Sequence, residues 1–249
     1  MLDNWQNRTI LLLGKENVEA LQCKHVLIVG LGGVGAYAAE MLVRAGVGEI
    51  TIVDADKVDV TNRNRQLVAL ISTYNQPKVE VLKNRFLDIN PRLKIHAICD
   101  FLAEKNTVKL FDNHNFDYLI DAIDTISPKV FLMAEALKRN IPIVSAMGSG
   151  GKLDPSKIHL ADISKSYQCP LAANVRKRLR KIGIYKGIKV IFSSEESRGT
   201  IVEENTTYKR TSMGTISYMP AIFGCWCASV CLQDLTIVNN EKNILNTDK

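Results

Sequence analysis

The stretch that decides the fold runs His25-Val-Leu-Ile-Val-Gly-Leu-Gly-Gly-Val-Gly35, then Ala36-Tyr-Ala-Ala-Glu-Met-Leu-Val-Arg-Ala-Gly46, then Val47-Gly-Glu-Ile-Thr-Ile-Val-Asp54. An apolar, β-branched run ends in Gly30, Gly32 and Gly35, a small-residue segment with helical spacing follows, and a second β-branched run closes at Asp54. The pattern predicts a strand, a glycine turn, a helix and a second strand. Glycines in such a turn let backbone N–H groups approach a phosphate at the helix N-terminus. An acid about 20 residues on is placed to accept a ribose hydroxyl. By itself the unit points to an adenine nucleotide and no further.

Outward from this unit, strands and helices alternate. Asn4–Cys23 reads as one or two short helices broken at Gly14, Asp54–Gln66 as a polar loop, and Pro77–Asn90 as a helix with proline in its first turn. Further strands are expected at Lys94–Ile98, Phe116–Ile123 and Ile141–Met147, with a helix over Pro128–Asn140. This order predicts an α/β fold: a Rossmann-like, doubly wound, mostly parallel sheet whose ligands sit outside the carboxyl ends of the strands. Past Gly151, strands at Ile158–Ile163 and Ile188–Ser193, a basic helix over Leu171–Ile182, a polar loop over Ser194–Arg210 and an apolar helix over Ala221–Leu235 extend the same sheet. One domain is expected, with a helical arm (1–24), a nucleotide-binding core (25–150) and a C-terminal extension (151–249).

Composition fits a soluble globular protein, with 46% hydrophobic and 23% charged residues. Ile216–Leu235 is the most apolar stretch, but Pro220, Gly224, Ser229 and Asp234 interrupt it. A buried helix or subunit interface is expected there, and no membrane span. Met1–Gln6 contains an acid and no hydrophobic run of leader length, and six cysteines show no framework spacing, so a cytoplasmic protein with reduced thiols is expected. Residues 172–192 hold seven Lys or Arg and no acid, so this segment alone exceeds the whole chain's net charge of +6. Such localisation argues for an anionic partner at one place.

The loop after Asp54 separates the possible chemistries. Asp56, Asn62, Arg65 and Gln66 follow it, then Lys78 opens a helix. A nicotinamide-dependent oxidoreductase needs little beyond its ribose acid. Cations beside a nucleotide suit a triphosphate undergoing displacement, where charge develops on departing pyrophosphate. Asp124, at the end of the fourth strand, is placed to hold Mg²⁺. Taken singly, Asn62 reads equally well as a turn residue, Arg65 and Lys78 as solvated surface, and Asp124 as a helix cap.

Gly30-Leu-Gly-Gly-Val-Gly35, Asp54-Ala-Asp56, Asn62-Arg-Asn-Arg-Gln66, Gln76-Pro-Lys78, Asn90-Pro91 and Asp121-Ala-Ile-Asp124 together resemble the ubiquitin-activating-enzyme-like adenylyltransferases. Asp121-Ala-Ile-Asp-Thr-Ile-Ser-Pro-Lys129, Gly148-Ser-Gly-Gly-Lys-Leu-Asp-Pro155 and Pro170-Leu-Ala-Ala173 resemble the tRNA threonylcarbamoyladenosine dehydratase branch. The resemblance implies ATP-dependent activation of the threonine carboxylate of N6-threonylcarbamoyladenosine in the tRNA anticodon loop, followed by cyclisation with loss of water. It implies that Gly30, Gly32, Gly33, Gly35, Asp54, Asp56, Asn62, Gln66 and Thr125 contact the nucleotide. Asn62, Arg65 and Lys78 would hold the phosphates, and Asp124 would bind Mg²⁺. Arg8 would reach the γ-phosphate across a homodimer interface. Arg176, Lys177, Arg178, Arg180 and Lys181 then occupy too many helix faces for one amphipathic edge and are expected to bind tRNA phosphates. A cysteine-desulfurase or sulfur-acceptor partner belongs to the same resemblance. Cys169, before Pro170, lies in the general region where relatives pass an acyl group to sulfur, and ring closure does not need it. The competing reading is an adenylating activator of a ubiquitin-like sulfur carrier. The missing Cys-x-x-Cys zinc pairs and the basic helix count against it.

Overall fold

The structure, a computed structural model, describes residues 4–198, 201–203 and 211–236. Seven strands form one sheet: β1 (His25–Val29), β2 (Glu49–Val53), β3 (Lys94–Ile98), β4 (Tyr118–Asp121), β5 (Ile143–Ala146), β6 (Ile158–Asp162) and β7 (Lys189–Ser193). Their spatial order is β3-β2-β1-β4-β5-β7-β6, parallel throughout except for β6 against β7. The order reverses between β1 and β4, which is the switch point where a doubly wound sheet opens a crevice. The expected fold class is therefore the observed one, including the added C-terminal strands and an N-terminal arm of α1 (Asn7–Leu13) and α2 (Lys15–Gln22) broken at Gly14.

The near-continuous Val/Ile/Leu runs of β1, β2 and β4 suit strands covered on both faces, and side-chain alternation divides them between two cores. Val26, Ile28, Ile50, Ile52 and Ile120 pack with α3 (Gly35–Ala45), α4 (Lys78–Ile89) and α8 (Tyr218–Leu235). Leu27, Val29, Val53 and Leu119 pack with α5 (Glu104–Asn113), α6 (Ile126–Lys138) and α7 (Pro170–Lys181). α5 has no counterpart in the sequence reading. The polar loop expected over Ser194–Arg210 is partly ordered as strand: β8 (Ile201–Glu203) pairs antiparallel with β9 (Thr211–Met213), and residues 204–210 lie outside the described set.

The apolar segment near the C-terminus is a buried helix, α8, and no helix among the described residues is long and apolar enough to cross a membrane. It lies directly on α3, where a Cβ at Gly224 would stand 2.3 Å from the Val34 carbonyl oxygen. Its far end is tethered by Asp234, which accepts from the Tyr118 hydroxyl at 2.6 Å and from Lys189 Nζ at 2.6 and 2.7 Å.

Glu40, a buried residue of α3, accepts from Arg44 Nε at 2.9 Å and from Arg85 Nε of α4 at 2.6 Å. Burial works to raise its pKa, but the bonds and charges of Arg85 and Arg44 outweigh it and hold the carboxyl below its usual range. A depressed carboxylate contributes stability above the ordinary glutamate pKa and loses it as pH falls through the folded value. Glu40→Gln is therefore less stable than the parent in urea unfolding at pH 7, with a difference that closes in acid. A difference independent of pH would mean that the ion pair is not its source. Asp234→Ala strands a buried tyrosine hydroxyl and costs about 1–3 kcal/mol in the same assay.

Candidate active site

The glycine turn is built by close approach. Gly30 adopts φ +86°, and a Cβ there would stand 2.8 Å from the Ala122 carbonyl oxygen. A Cβ at Gly35 would stand 1.8 Å from the Gly30 carbonyl oxygen. The turn is pinned to its neighbours by Gly30 N–H donating to Val53 O (2.9 Å) and Ala122 N–H donating to Val29 O (2.8 Å). Asp54, at the end of β2, accepts from Leu31 N–H at 2.5 Å and Asp56 N–H at 2.8 Å. Burial pushes its carboxyl up, with the Lys78 charge and the two N–H bonds opposing.

The loop 54–66 folds back over the turn. Asn62 is buried, and its Oδ1 accepts from Asp59 N–H at 3.1 Å, so part of this side chain holds the loop together. Arg65 Nη1 donates to Thr61 O and Asn64 Oδ1, both at 2.8 Å. Gln66 Nε2 lies 3.8 Å from where a Cβ on Gly32 would stand, while its Oε1 is buried with no hydrogen-bond partner among the described residues. Gly33 faces Pro220 in the first turn of α8 and the Arg65 carbonyl. Lys78 is 3% exposed, and its Nζ meets Asp56 Oδ2 at 2.8 Å. The glycine turn, Asp54, Asp56, Asn62, Arg65, Gln66 and Lys78 thus form one crevice at the carboxyl edge. Asp124 is exposed in the loop after β4, and Thr125 precedes α6.

Beneath that loop lies a group the sequence reading did not single out. Lys129 and Asp121 are fully buried and paired at 2.7 Å. Lys129 Nζ also donates to Ile123 O (2.9 Å) and Ala146 O (2.8 Å), and Asp121 accepts from Ser145 Oγ (2.6 Å) and Ile123 N–H (3.0 Å). The network joins the ends of β4 and β5 to α6 and so fixes the segment Ala122–Asp124. A sequence signal existed, since Lys129 shares helical spacing with the buried Met133 and Ala136. Lys152 is a third buried lysine, with Nζ donating to Glu195 O. Glu195 Oε2 in turn accepts from Leu153 and Asp154 N–H at 2.8 and 2.9 Å.

The basic helix departs from expectation in one respect. α7 buries Ala172, Val175 and Leu179, so it is amphipathic, and its charges are confined to the outer side. Arg176 is turned back to Ser166, donating to its carbonyl at 2.7 Å, and Arg178 donates to Ser127 Oγ at 2.6 Å. Lys177, Arg180 and Lys181 are exposed. Cys169 is buried at the start of α7 and lines a cavity of about 340 Å³ with Gln168, Pro170, Ala173, Arg176 and Glu196. Burial drives the Cys231 thiol well up and pushes Cys227 up to about 12, which makes both inert. Arg8 is exposed on α1 and has no hydrogen bond or ion pair among the described residues.

A doubly wound sheet with a tight glycine turn, a ribose-type acid and buried cations at its switch point defines a class of nucleotide-site α/β proteins. Comparison with known proteins narrows the class. The model of the ThiF family matches residues 6–249. tRNA threonylcarbamoyladenosine dehydratase of Bacillus subtilis is 51% identical over 189 residues, 76% of this chain and 74% of that protein. The Escherichia coli protein of the same name is 34% identical over 255 residues, covering 94% and 95%. Crystal structures of the E. coli dehydratase with AMP and with ATP superpose with TM-scores of 0.85 and 0.84 at 35% identity, over 94% of this chain and 96% of that one. The chain belongs to the ThiF family and, within it, to the tRNA threonylcarbamoyladenosine dehydratases.

Removing one partner of a fully buried ion pair leaves an uncompensated charge. Lys129→Met is expected to cost about 3–5 kcal/mol, and Asp121→Leu combined with Lys129→Met to recover much of that. Equilibrium unfolding of the two variants and the parent checks it, and a double variant no better than the single one would contradict it.

Proposed function

We propose that the chain catalyses ATP-dependent dehydration of N6-threonylcarbamoyladenosine in the tRNA anticodon loop. The observation that carries this reading is the near full-length match to the E. coli dehydratase, crystallised with ATP and with AMP. The residues of the crevice fit such a nucleotide. Gln66 Oε1 is a buried acceptor awaiting a donor, Asp54 keeps lone pairs free beside the turn, and Lys78 supplies a buried cation.

In this reading the threonine carboxylate attacks the α-phosphorus of ATP. Pyrophosphate leaves, and the carboxylate oxygen carries AMP. The carbamoyl group of the same substrate then attacks the activated carbonyl and AMP departs, closing the ring with net loss of water. Adenylation replaces a poor leaving group, so the protein's work is positioning and charge neutralisation. Gly30, Gly32, Gly33 and Gly35 admit the nucleotide backbone, Asp54 and Asp56 lie at its ribose, and Asn62, Gln66 and Thr125 border it. Arg65 and Lys78 neutralise the phosphates, for which Arg65 leaves Thr61 and Asn64. Asp124 would hold a magnesium ion, which supplies charge neutralisation on phosphate oxygens when bound.

Arg8 acts, in the same proposal, on the nucleotide of a second copy. Leu11 and Leu12, one turn along α1, are 87% and 81% exposed, which supports a homodimer that covers this face. The tRNA backbone lies along α7, chiefly on Lys177, Arg180 and Lys181, with Arg176 and Arg178 contributing from its edge. The substrate places the protein in the cytoplasm. Cyclisation uses the substrate's own carbamoyl group, so no thiol of this chain and no sulfur-acceptor system is needed for the reaction itself. The extension 151–249 serves as the tRNA-binding part of a single domain.

Incubation with ATP and modified tRNA is expected to release AMP and pyrophosphate as the nucleoside loses the mass of one water. AMP release with a sulfur-carrier protein instead would overturn the reading. Lys78→Ala and Asp124→Ala should each lower kcat by about 10²–10³. Mixing Arg8→Ala with Lys78→Ala protein should restore activity that neither has alone, and no restoration would place Arg8 outside the partner's site. Replacing Lys177, Arg180 and Lys181 with glutamine should weaken tRNA binding and reduce its salt slope by about 3.

A further inference from the structure

Three of the four histidines in the chain gather near the starts of β1 and β2, beside the edge strand β3 and away from the crevice. His25 opens β1 and is the register partner of Glu49, which opens β2. His96 of β3 is the register partner of Thr51, two residues beyond Glu49. Side chains two apart on a strand share a face, so His25, Glu49, Thr51 and His96 project from the same side of the sheet. The third ring, His114, follows α5 and stands 5.1 Å from His96 and 5.9 Å from His25, centroid to centroid.

We infer that His25, Glu49 and His96 form a binding site for a divalent transition-metal ion such as Zn²⁺. The donor set is two imidazoles and one carboxylate, a set Zn²⁺ takes with a fourth position left for another ligand. His96 Nε2 lies 2.8 Å and His25 Nδ1 lies 3.6 Å from Glu49 Oε1, and all three donor atoms fall within 4.8 Å of one another. Ligands at about 2.0–2.1 Å around a tetrahedral ion stand about 3.3 Å apart, so shifts of well under 2 Å close the site. The outer contacts also suit a ligand. His25 Nε2 meets Thr51 Oγ1 at 2.8 Å; with the ring proton placed there, and the ring's bond to the Asn115 backbone given up, Nδ1 is left as a lone pair. Asp117 holds the base of His25 by accepting its backbone N–H at 2.8 Å, and Phe116 stacks edge-on 4.7 Å from the ring. The His114 ring stands beside both histidines. The strands are five residues long, so the site lies roughly 13 Å or more from the nucleotide edge and is separate from any Mg²⁺ at Asp124. An ion there would staple three adjacent strands, β1 and β2 at their first residues and β3 at its middle.

The test uses the full chain, freed of metal with a chelator and held in excess Mg²⁺, titrated with Co²⁺ and Zn²⁺. One equivalent of Co²⁺ is expected to give visible d–d bands without thiolate charge-transfer absorption, and Zn²⁺ to raise Tm. His96→Gln and Glu49→Gln, both at partly exposed positions, should each weaken binding by more than about tenfold and abolish the Tm rise, while His159→Gln changes neither. Binding unchanged in His96→Gln and Glu49→Gln, thiolate bands from the cysteines, or no binding by the parent would overturn the proposal.

Discussion

Everything at the carboxyl edge depends on how closely backbone can approach backbone where β1 meets β4. The Gly30 turn lies against the Ala122 peptide with space for hydrogen atoms and nothing larger, and Gly35 starts its helix against the Gly30 carbonyl. Any side chain at Gly35 would push α3 away from the sheet. That would open a gap under α8, which is itself seated on α3 through Gly224. The crevice is therefore a consequence of the sheet's tightest crossing. Its walls are rigid because two buried cores clamp the strands from both faces.

Onto this frame the chain places charge at graded depth. Asp121 and Lys129 are fully buried and satisfied by Ser145 and by backbone carbonyls and amides, and they fix the segment that carries Asp124. Lys78 is buried but reaches outward to the exposed Asp56, while among the described residues Arg65 is tied only to atoms of its own turn. A deep pair that does not move beneath shallow cations that can exchange partners suits a site that must admit and release a multiply charged ligand. Preorganised charge of this kind is where adenylation draws most of its catalytic advantage.

The fold was legible because its signals are local. β-branched runs bounded by glycine mark β1 and β2, the small residues of Ala36–Ala39 mark α3, and their alternation with helices fixes a parallel sheet. α5 was not legible, since Glu104-Lys-Asn-Thr-Val-Lys-Leu-Phe opens with four polar residues before its first apolar one and shows its buried stripe of Thr107, Leu110 and Phe111 only in context. In the site, Gly32, Asp54, Arg65 and Lys78 could be named from motif and spacing. The partnerless oxygen of Gln66 could not, because it depends on what a distant element places opposite it, whereas the depth of Lys129 was marked only by its helical spacing with Met133 and Ala136. The charges of the basic helix occupy too many faces, read from sequence, for one amphipathic edge. Its three buried apolar residues, four and three apart, show a surface helix with one wet face.

The central claim is that the crevice beside Gly32 grips ATP with Arg65 and Lys78 on its phosphates, and a crystal structure with a non-hydrolysable ATP analogue tests it most directly. The account predicts the triphosphate against Gly32 and Gly33, Gln66 Oε1 newly hydrogen-bonded, and the Arg65 guanidinium moved from Thr61 and Asn64 onto phosphate. A nucleotide bound elsewhere, or one in the crevice with Arg65 still on Thr61 and Lys78 still on Asp56, would contradict it.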